Sequence, residues 1–379
     1  MKHGYKTSAA LISLLLALSI LLSACSGTNT TPPVTPTETT SAELPTEDVT
    51  ADTPEDVPYT IEYIYTRELI TPYYHLYGSL LDDFVEIYIT NNSDVTSSFL
   101  VETEIDGYSS VSSDTVEVAP GERLEIRQNP RLVPESMEKL NSQRYANFVI
   151  RVTLLTEGEG DLLLSESNEI LLYSRRDYAW VSGFDEQGNR DLLAVYVTPN
   201  DPAVEELLRR AANYTSSGEI WSGYGGHIED DNGGVLERLQ AVWQAEKEYN
   251  LTYVSTWVSF TPEASQRMRL PFEVLEQEGG NCIELVFLYA SAVEAMDLEP
   301  AIVLIPGHAY LAVRTDQENA SYYFIETTLI GQTDFDQALA YGNNSWETDG
   351  PKLDAGEEAY GWVTIPEARE QGILPLPWR

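Results

Sequence analysis

The chain has 379 residues, and its 42% hydrophobic content is typical of a globular protein long enough for two domains with cores of their own. Its 22 lysines and arginines stand against 61 aspartates and glutamates, which gives a formal net charge of −39. Such a chain repels phosphate backbones and anionic lipid surfaces, so the charge argues against nucleic acid as a partner. A peptide-rich or carbohydrate-rich surface, a cationic protein or divalent cations fit better.

Residues 1–24 have the three parts of an export signal. A positively charged start precedes an apolar run over residues 11–22, which is too short to span a membrane, and small residues follow it. The run ends in Leu22-Ser23-Ala24-Cys25, which resembles the lipobox of bacterial lipoproteins. This resemblance implies a diacylglycerol anchor on Cys25 and an extracytoplasmic protein attached to a bacterial membrane. The alternative is a soluble secreted protein.

Residues 25–58 are rich in Thr, Pro, Glu and Ser and contain no aromatic side chain. Such a segment cannot bury enough apolar area to offset its ordering entropy, which predicts a disordered tether. The chain has two cysteines, and lipidation of Cys25 would leave Cys282 without an intramolecular partner. An unpaired cysteine in an exported protein indicates either burial or nucleophilic function.

Residues 59–175 read as a β-domain. Short β-rich runs lie at 84–90, 98–105, 116–126, 148–155 and 169–173, and turn clusters separate them. Because no helical period separates most of these runs, their spacing predicts an immunoglobulin-like sandwich. No motif in this region carries chemistry, so both a structural spacer and a binding module remain open.

From residue 178 to residue 379 the hydrophobic period changes and predicts an α+β domain. A strand is expected to end near Val197, and Asp201 offers a helix cap just after it. The predicted helices cover 204–212, 235–249, 271–275 and 281–296, and the predicted strands cover 301–305, 309–313 and 322–326.

Three residues in this domain form a candidate catalytic set: Cys282, His308 and Glu326. Cys282 follows a Gly-Gly turn and opens an apolar helical pattern, where the backbone N–H groups and the helix dipole favour a thiolate. His308 begins one apolar strand and Glu326 ends the next, so an antiparallel pairing would let the two side chains face each other. A nucleophile, a base and an orienting carboxylate are the groups that thiol-dependent acyl transfer requires.

Each of these residues also has a structural interpretation. A cysteine at a helix start can be a small buried hydrophobe, His308 can be a turn residue, and Glu326 can cap a strand end. An acidic loop containing His227 could bind Ca²⁺, although it lacks EF-hand spacing. A metal site at Cys282 is disfavoured because structural zinc takes four ligands and no CxxC or HxxxH motif is present. We therefore expect neither a metal nor a cofactor.

The C-terminal motifs resemble those of the bacterial transglutaminase-like proteins, a superfamily with a papain-like core. The matching runs are Leu270-Pro271-Phe272-Glu273-Val274-Leu275, Gly279-Gly280-Asn281-Cys282-Ile283-Glu284-Leu285, Pro306-Gly307-His308-Ala309-Tyr310 and Ile325-Glu326-Thr327-Thr328. The resemblance implies Cys282 as nucleophile, His308 as base, and Glu326 where the family usually has aspartate. Glu284 matches a position that is often acidic in the family, which implies that it supports the site. The Cys282 N–H group is one expected oxyanion donor, and Asn281 and Trp257 are candidates for the second.

These features predict a cell-envelope lipoprotein that hydrolyses or transfers acyl groups on peptide or isopeptide amides, with a protein or peptide as its substrate. The alternative belongs to another class: a non-catalytic envelope protein that uses the same fold for binding or scaffolding. Burial of Cys282 among apolar side chains favours this alternative, whereas contact between its sulfur and His308 favours the enzyme.

Overall fold

The computed structural model describes residues 57–377 except 157, 159, 182–183, 225–233, 256–265 and 319–320. The predicted signal segment 1–24, the Cys25 anchor and nearly all of the predicted tether 25–58 lie outside these residues, as do His227 and Trp257. Within the described part of the chain, no helix is long and apolar enough to cross a membrane.

The fold is α+β, with strands and helices arranged in several sheets and layers. Its strands are β1 (Tyr59–Tyr65), β2 (Glu68–Ile70), β3 (Val85–Asn91), β4 (Ser97–Ile105), β5 (Ser112–Val118), β6 (Arg123–Gln128), β7 (Arg144–Leu155), β8 (Asp161–Tyr173), β9 (Asp177–Tyr178), β10 (Thr252–Tyr253), β11 (Gln266–Arg267), β12 (Gly279–Gly280), β13 (Pro300–Ile305), β14 (His308–Arg314), β15 (Tyr322–Ile325) and β16 (Gly361–Thr364). Its α-helices are α1 (Pro134–Lys139), α2 (Glu186–Asp191), α3 (Pro202–Ala211), α4 (Val235–Glu248), α5 (Pro271–Glu276), α6 (Cys282–Ala295), α7 (Phe335–Asp354) and α8 (Ile365–Glu370).

The first eight strands form two sheets around one core. The smaller sheet has the order β1-β3-β6 and the larger one has the order β2-β8-β7-β4-β5, with β2 parallel to β8. Strands β3 and β4 alternate buried and half-buried residues, so each presents one face to the shared core. At the Pro120-Gly121 turn the chain crosses between sheets, since β5 pairs with β4 and β6 pairs with β3.

The second core is built around α6. Its residues Cys282 to Val293 are all buried, and the helix packs against β13, β14, α3 and α5. A helix that is apolar on nearly all sides belongs in the middle of a fold. Strands β15-β14-β13-β16 form an antiparallel sheet beside it. Between residues 204 and 325 the predicted helices and strands are of the type found in the structure, and their predicted ends nearly coincide with the observed ones.

The segment 70–76 links the two groups of strands and helices. Ile70, Tyr73 and Leu76 belong to the second core, although they lie between strands of the first two sheets. The Tyr73 hydroxyl donates to the Ala179 carbonyl over 3.2 Å. Side chains from both sides of the expected boundary at 175–178 thus share one core, and the division into domains there stays a prediction.

Two sequence-based assignments differ from the structure. The strand expected to end near Val197 is a 3-10 helix over Leu192–Tyr196, and every residue of it is buried. A short, wholly apolar run fits a buried strand and a buried helical turn equally well, which explains the error. Helix α7 has no counterpart in the prediction, because its sequence mixes Gly, Asn and Asp with few apolar residues.

Helix α7 lies directly on β15 at Gly342. A Cβ atom at this position would come closer than 3.0 Å to backbone atoms of Phe324 and Ile325. The absence of a side chain at Gly342 therefore sets the distance between the helix and the strand that leads into Glu326.

We predict that Gly342→Ala destabilises the protein by about 1–2 kcal/mol, because overpacking against a backbone outweighs the gain of about 1 kcal/mol in helix propensity. Chemical denaturation of the purified protein measures this change. Asn344→Ala, at an exposed position of the same helix, is the control and should be neutral or slightly stabilising. An unchanged midpoint for Gly342→Ala would contradict the close contact.

Candidate active site

Helix α6 begins at Cys282 because residues 281 and 284 cap each other. The Asn281 side chain accepts the Glu284 N–H over 3.0 Å, and Glu284 Oε2 accepts the Asn281 N–H over 2.9 Å. This reciprocal arrangement satisfies two of the N–H groups that a helix start leaves without partners. It makes Cys282 the first helical residue, at the positive end of the helix dipole.

Glu284 is itself fixed by Arg269. The Glu284 carboxylate is 3% exposed, its Oε1 accepts the Arg269 N–H over 2.9 Å, and its Oε2 lies 2.9 Å from Arg269 Nη1. A buried carboxylate is stable only when it is paired and hydrogen-bonded, and Glu284 has both kinds of partner. Sequence analysis assigned a supporting role to Glu284 but missed Arg269, which lies 15 positions away in the chain and carries no local signal.

The first of the two glycines before Asn281, Gly279, is required by a close approach of the backbone. The two glycines form β12, which pairs in parallel with Thr252 and Tyr253, and the Val254 N–H donates to the Gly280 carbonyl over 2.8 Å. A Cβ atom on Gly279 would lie 2.7 Å from the Thr252 carbonyl oxygen. Side chains larger than hydrogen are therefore excluded there, and the strand pairing fixes the path of the chain into α6.

His308 is placed by a two-residue hairpin. Strands β13 and β14 pair antiparallel with Ile305 opposite His308, and Pro306-Gly307 makes the turn. Gly307 has φ of 71°, a value that L side chains rarely adopt, and proline before such a glycine is typical of a type II turn. His308 is consequently the first residue of β14, at the end of a central strand of the sheet.

Glu326 faces His308 from the end of the neighbouring strand. Strands β14 and β15 pair antiparallel, with Leu311 opposite Ile325, as the sequence suggested. His308 Nε2 lies 2.8 Å from Glu326 Oε2. The other carboxylate oxygen, Oε1, accepts the Thr328 N–H over 3.1 Å and the Thr328 hydroxyl over 2.5 Å. Glu326 thus caps a 3-10 helix and orients an imidazole at the same time.

Cys282 lies close enough to His308 for the two side chains to interact. Because Glu326 engages Nε2, the ring nitrogen left for the thiol is Nδ1. Burial by itself lowers the pKa of His308, but the interactions with Cys282 and Glu326 outweigh it and raise that pKa to about 10. The Glu326 carboxyl is desolvated, which raises its pKa, yet the bond to His308 and those to Thr328 leave the pKa below its ordinary value. The imidazole is therefore charged at neutral pH.

The other two site candidates are Asn281 and Trp257. The Asn281 N–H is used by Glu284, so Asn281 fits a supporting role better than that of a backbone oxyanion donor. Trp257 lies outside the described residues. The Cys282 sulfur belongs to a residue that is 1% exposed, whereas the His308 side chain is 27% exposed.

Within the described part of the chain, Cys282 is a free cysteine, and no group of three or more His, Cys, Asp or Glu side chains is arranged to hold a metal ion. The acidic loop with His227 lies outside that part. The described set at the start of α6 is therefore a thiol, an imidazole and a carboxylate.

No known protein-family profile matches the chain, and no curated protein matches its sequence. Solved structures give weak matches. A FixG-related protein from Vibrio parahaemolyticus has a TM-score of 0.20 at 17% identity and covers 31% of this chain and 97% of its own. A protein from Archaeoglobus fulgidus has a TM-score of 0.21 at 9% identity, with 34% and 95% coverage. A candidate cysteine protease from Cytophaga hutchinsonii has a TM-score of 0.23 at 11% identity, with 64% and 74% coverage.

We predict that Glu284→Gln destabilises the protein by about 1.5–3 kcal/mol, the usual range for losing a hydrogen-bonded charged group. A glutamine carbonyl in the place of Oε2 can still accept from Asn281 N–H and Arg269 Nη1, but its NH2 group then faces the Arg269 N–H, and Arg269 loses its ion pair. Chemical denaturation monitors the loss. Glu347→Gln, on the exposed side of α7, is the matched control and should change stability by less than about 0.5 kcal/mol.

The ion pair of His308 and Glu326 should make stability depend on pH. The folded pKa of His308 lies above the ordinary value of 6.5, so its contribution is complete below pH 6.5 and is lost as the pH rises through about 10. The folded pKa of Glu326 is lowered, so its contribution is lost as the pH falls below the ordinary value of 4.5. We predict that Glu326→Gln costs about 1–2 kcal/mol between these limits and progressively less toward pH 10. A pH-independent difference would contradict the pairing.

Proposed function

We propose that the chain is a transglutaminase-like cysteine enzyme that hydrolyses or transfers acyl groups on peptide or isopeptide amides. The observation that carries the proposal is the contact of His308 Nε2 with Glu326 Oε2 over 2.8 Å, in an imidazole whose pKa is also raised by the neighbouring Cys282. The start of helix α6 beneath the sulfur adds a partial positive charge, and the Cys282 N–H is a natural donor to a developing oxyanion.

In the proposed reaction the Cys282 sulfur attacks an amide carbonyl while the charged His308 supplies the proton that the departing amine needs. The C–N bond breaks and a thioester to Cys282 remains. Water or a second amine then attacks the thioester, His308 accepts the proton, and the thiolate leaves. Glu326 holds the imidazole in one orientation throughout, and Thr328 holds Glu326.

The proposal extends to the architecture and location of the chain. The two sheets of the N-terminal region would be an immunoglobulin-like sandwich, and α6 with the sheet β15-β14-β13-β16 would be a papain-like core. The sequence from residue 1 to residue 58 supports an exported lipoprotein attached to a bacterial membrane through Cys25, with its substrate a protein or peptide of the cell envelope.

The second candidate function is a non-catalytic binding or scaffolding protein. The 1% exposure of Cys282 favours it, because a nucleophile must reach its substrate. The polar contact of the thiol with His308 favours the enzyme, because a merely structural cysteine needs no imidazole beside it.

Thiol labelling distinguishes the two functions. We predict that iodoacetamide modifies Cys282 rapidly at pH 7 in the wild-type protein and at least about tenfold more slowly in His308→Ala, because the charged imidazole stabilises the thiolate. Glu326→Gln should give an intermediate rate. Mass spectrometry after proteolysis separates Cys282 from Cys25.

The matched control is His75→Gln, which changes a second histidine, one whose Nε2 accepts the Leu374 N–H over 3.0 Å. It should label at the wild-type rate. Equal and slow labelling of the wild type and His308→Ala would overturn the enzyme and leave the scaffold. If labelling is rapid, two assays identify the reaction. Incorporation of a fluorescent primary amine into glutamine peptides reports acyl transfer, and release of ammonia or amine reports hydrolysis. Cys282→Ser should abolish both activities.

A further inference from the structure

A pocket lies at the opposite end of the β15 strand from Glu326. This aromatic pocket, of about 600 Å³, is lined by Ser321, Tyr322, Phe324, Trp346, Leu353, Asp354 and Trp362. Its rings come from β15, α7 and β16. Tyr322 is four residues from Glu326, about 13 Å along a strand, and the buried rings of Tyr310 and Phe324 lie between the pocket and His308. The pocket is therefore separate from the thiol site.

The rings that line the pocket pack against one another, most of them at steep angles, so they do not form one flat platform. Tyr322 and Trp362 are nearly perpendicular, at 84° with centroids 5.0 Å apart, and Trp346 and Trp362 meet at 56° with centroids 5.4 Å apart. Both tryptophans are half-buried, so part of each indole faces the pocket. Phe324 stacks behind Trp346 at 13° and holds it in place.

The electrostatic surroundings of the pocket are negative. Asp354 lines it and is exposed. Burial raises the pKa of Tyr322, the charge of Arg314 opposes that rise, and the carboxylates of Glu299 and Glu367 add to it. Glu299 pairs with Arg314 over 2.7 Å and compensates its charge. The carboxylates of Asp354 and Glu367 then remain as negative charges around the pocket, in a chain whose net charge is −39.

We propose that the aromatic pocket binds an organic ammonium group, quaternary or methylated, on a small molecule or a side chain. The faces of several aromatic rings attract a cation, and carboxylates at the rim favour it further. The volume suits an ammonium head together with part of the molecule that carries it. A sugar is the alternative ligand; it would meet the hydroxyl groups of Ser321 and Tyr322, whereas the Trp362 indole N–H already donates to Thr364 over 2.9 Å.

Calorimetric titration of the full chain with choline and with 3,3-dimethyl-1-butanol tests the proposal, since the two have nearly the same shape and only choline is charged. We expect saturable binding of choline and at least about tenfold weaker binding of the neutral alcohol. Asp354→Asn should weaken choline binding about threefold to tenfold, and it should fold normally because Asp354 is exposed. Asp336→Asn, at an exposed position in the first turn of the same helix, is the control and should bind like the wild type.

A second variant, Trp346→Leu, removes one wall of the pocket and should reduce choline affinity further, with circular dichroism confirming that the variant is folded. Equal affinity for choline and the alcohol would overturn the proposal and leave an apolar pocket. Binding of N-acetylglucosamine without choline, or no binding of either, would also overturn it. Labelling of Cys282 is unaffected by these outcomes, so the proposal and the catalytic function fail independently.

Discussion

The buried carboxylate of Glu284 fixes the start of helix α6, and the position of Cys282 depends on it. Three donors meet at this carboxylate: the Asn281 N–H, the Arg269 N–H and the Arg269 guanidinium; the Glu284 N–H in turn donates to the Asn281 side chain. Removing a charge from water is costly unless such partners replace the lost hydration. The same interactions that compensate Glu284 therefore hold the thiol at the positive end of a helix whose remaining length is buried.

A second rigid element brings the imidazole to that point. The sheet β15-β14-β13-β16 carries His308 at a tight hairpin and Glu326 at the end of the adjacent strand, so backbone hydrogen bonds set the separation of the two side chains. Helix α7 lies against the free backbone edge of β15 at Gly342, where the lack of a side chain allows close packing. The site thus combines a helix start with the ends of two paired strands, all fixed by backbone geometry rather than by flexible loops.

Charge has opposite local signs at the two places where the proposed functions lie. At the start of α6 the helix dipole and the charged His308 make the surroundings of the sulfur positive, which suits an anionic nucleophile. At the aromatic pocket, Asp354 and Glu367 make the surroundings negative, which suits a cationic ligand. Because the chain as a whole is strongly acidic, the positive region beside Cys282 is a local product of the fold and cannot be inferred from composition.

Elements with local signals could be predicted from the sequence alone. The apolar period after the Gly-Gly turn predicted α6, the apolar runs on either side of Pro306-Gly307 predicted two strands, and the strand ends predicted His308 and Glu326 as neighbours. Tertiary structure decided what depends on distant residues. Arg269 contacts Glu284 through space, the polar sequence of α7 becomes helical by packing on β15, and the pocket joins Tyr322, Trp346 and Trp362 from three elements. Local periodicity reports how one segment meets the core, whereas such contacts depend on how segments far apart in the chain are brought together.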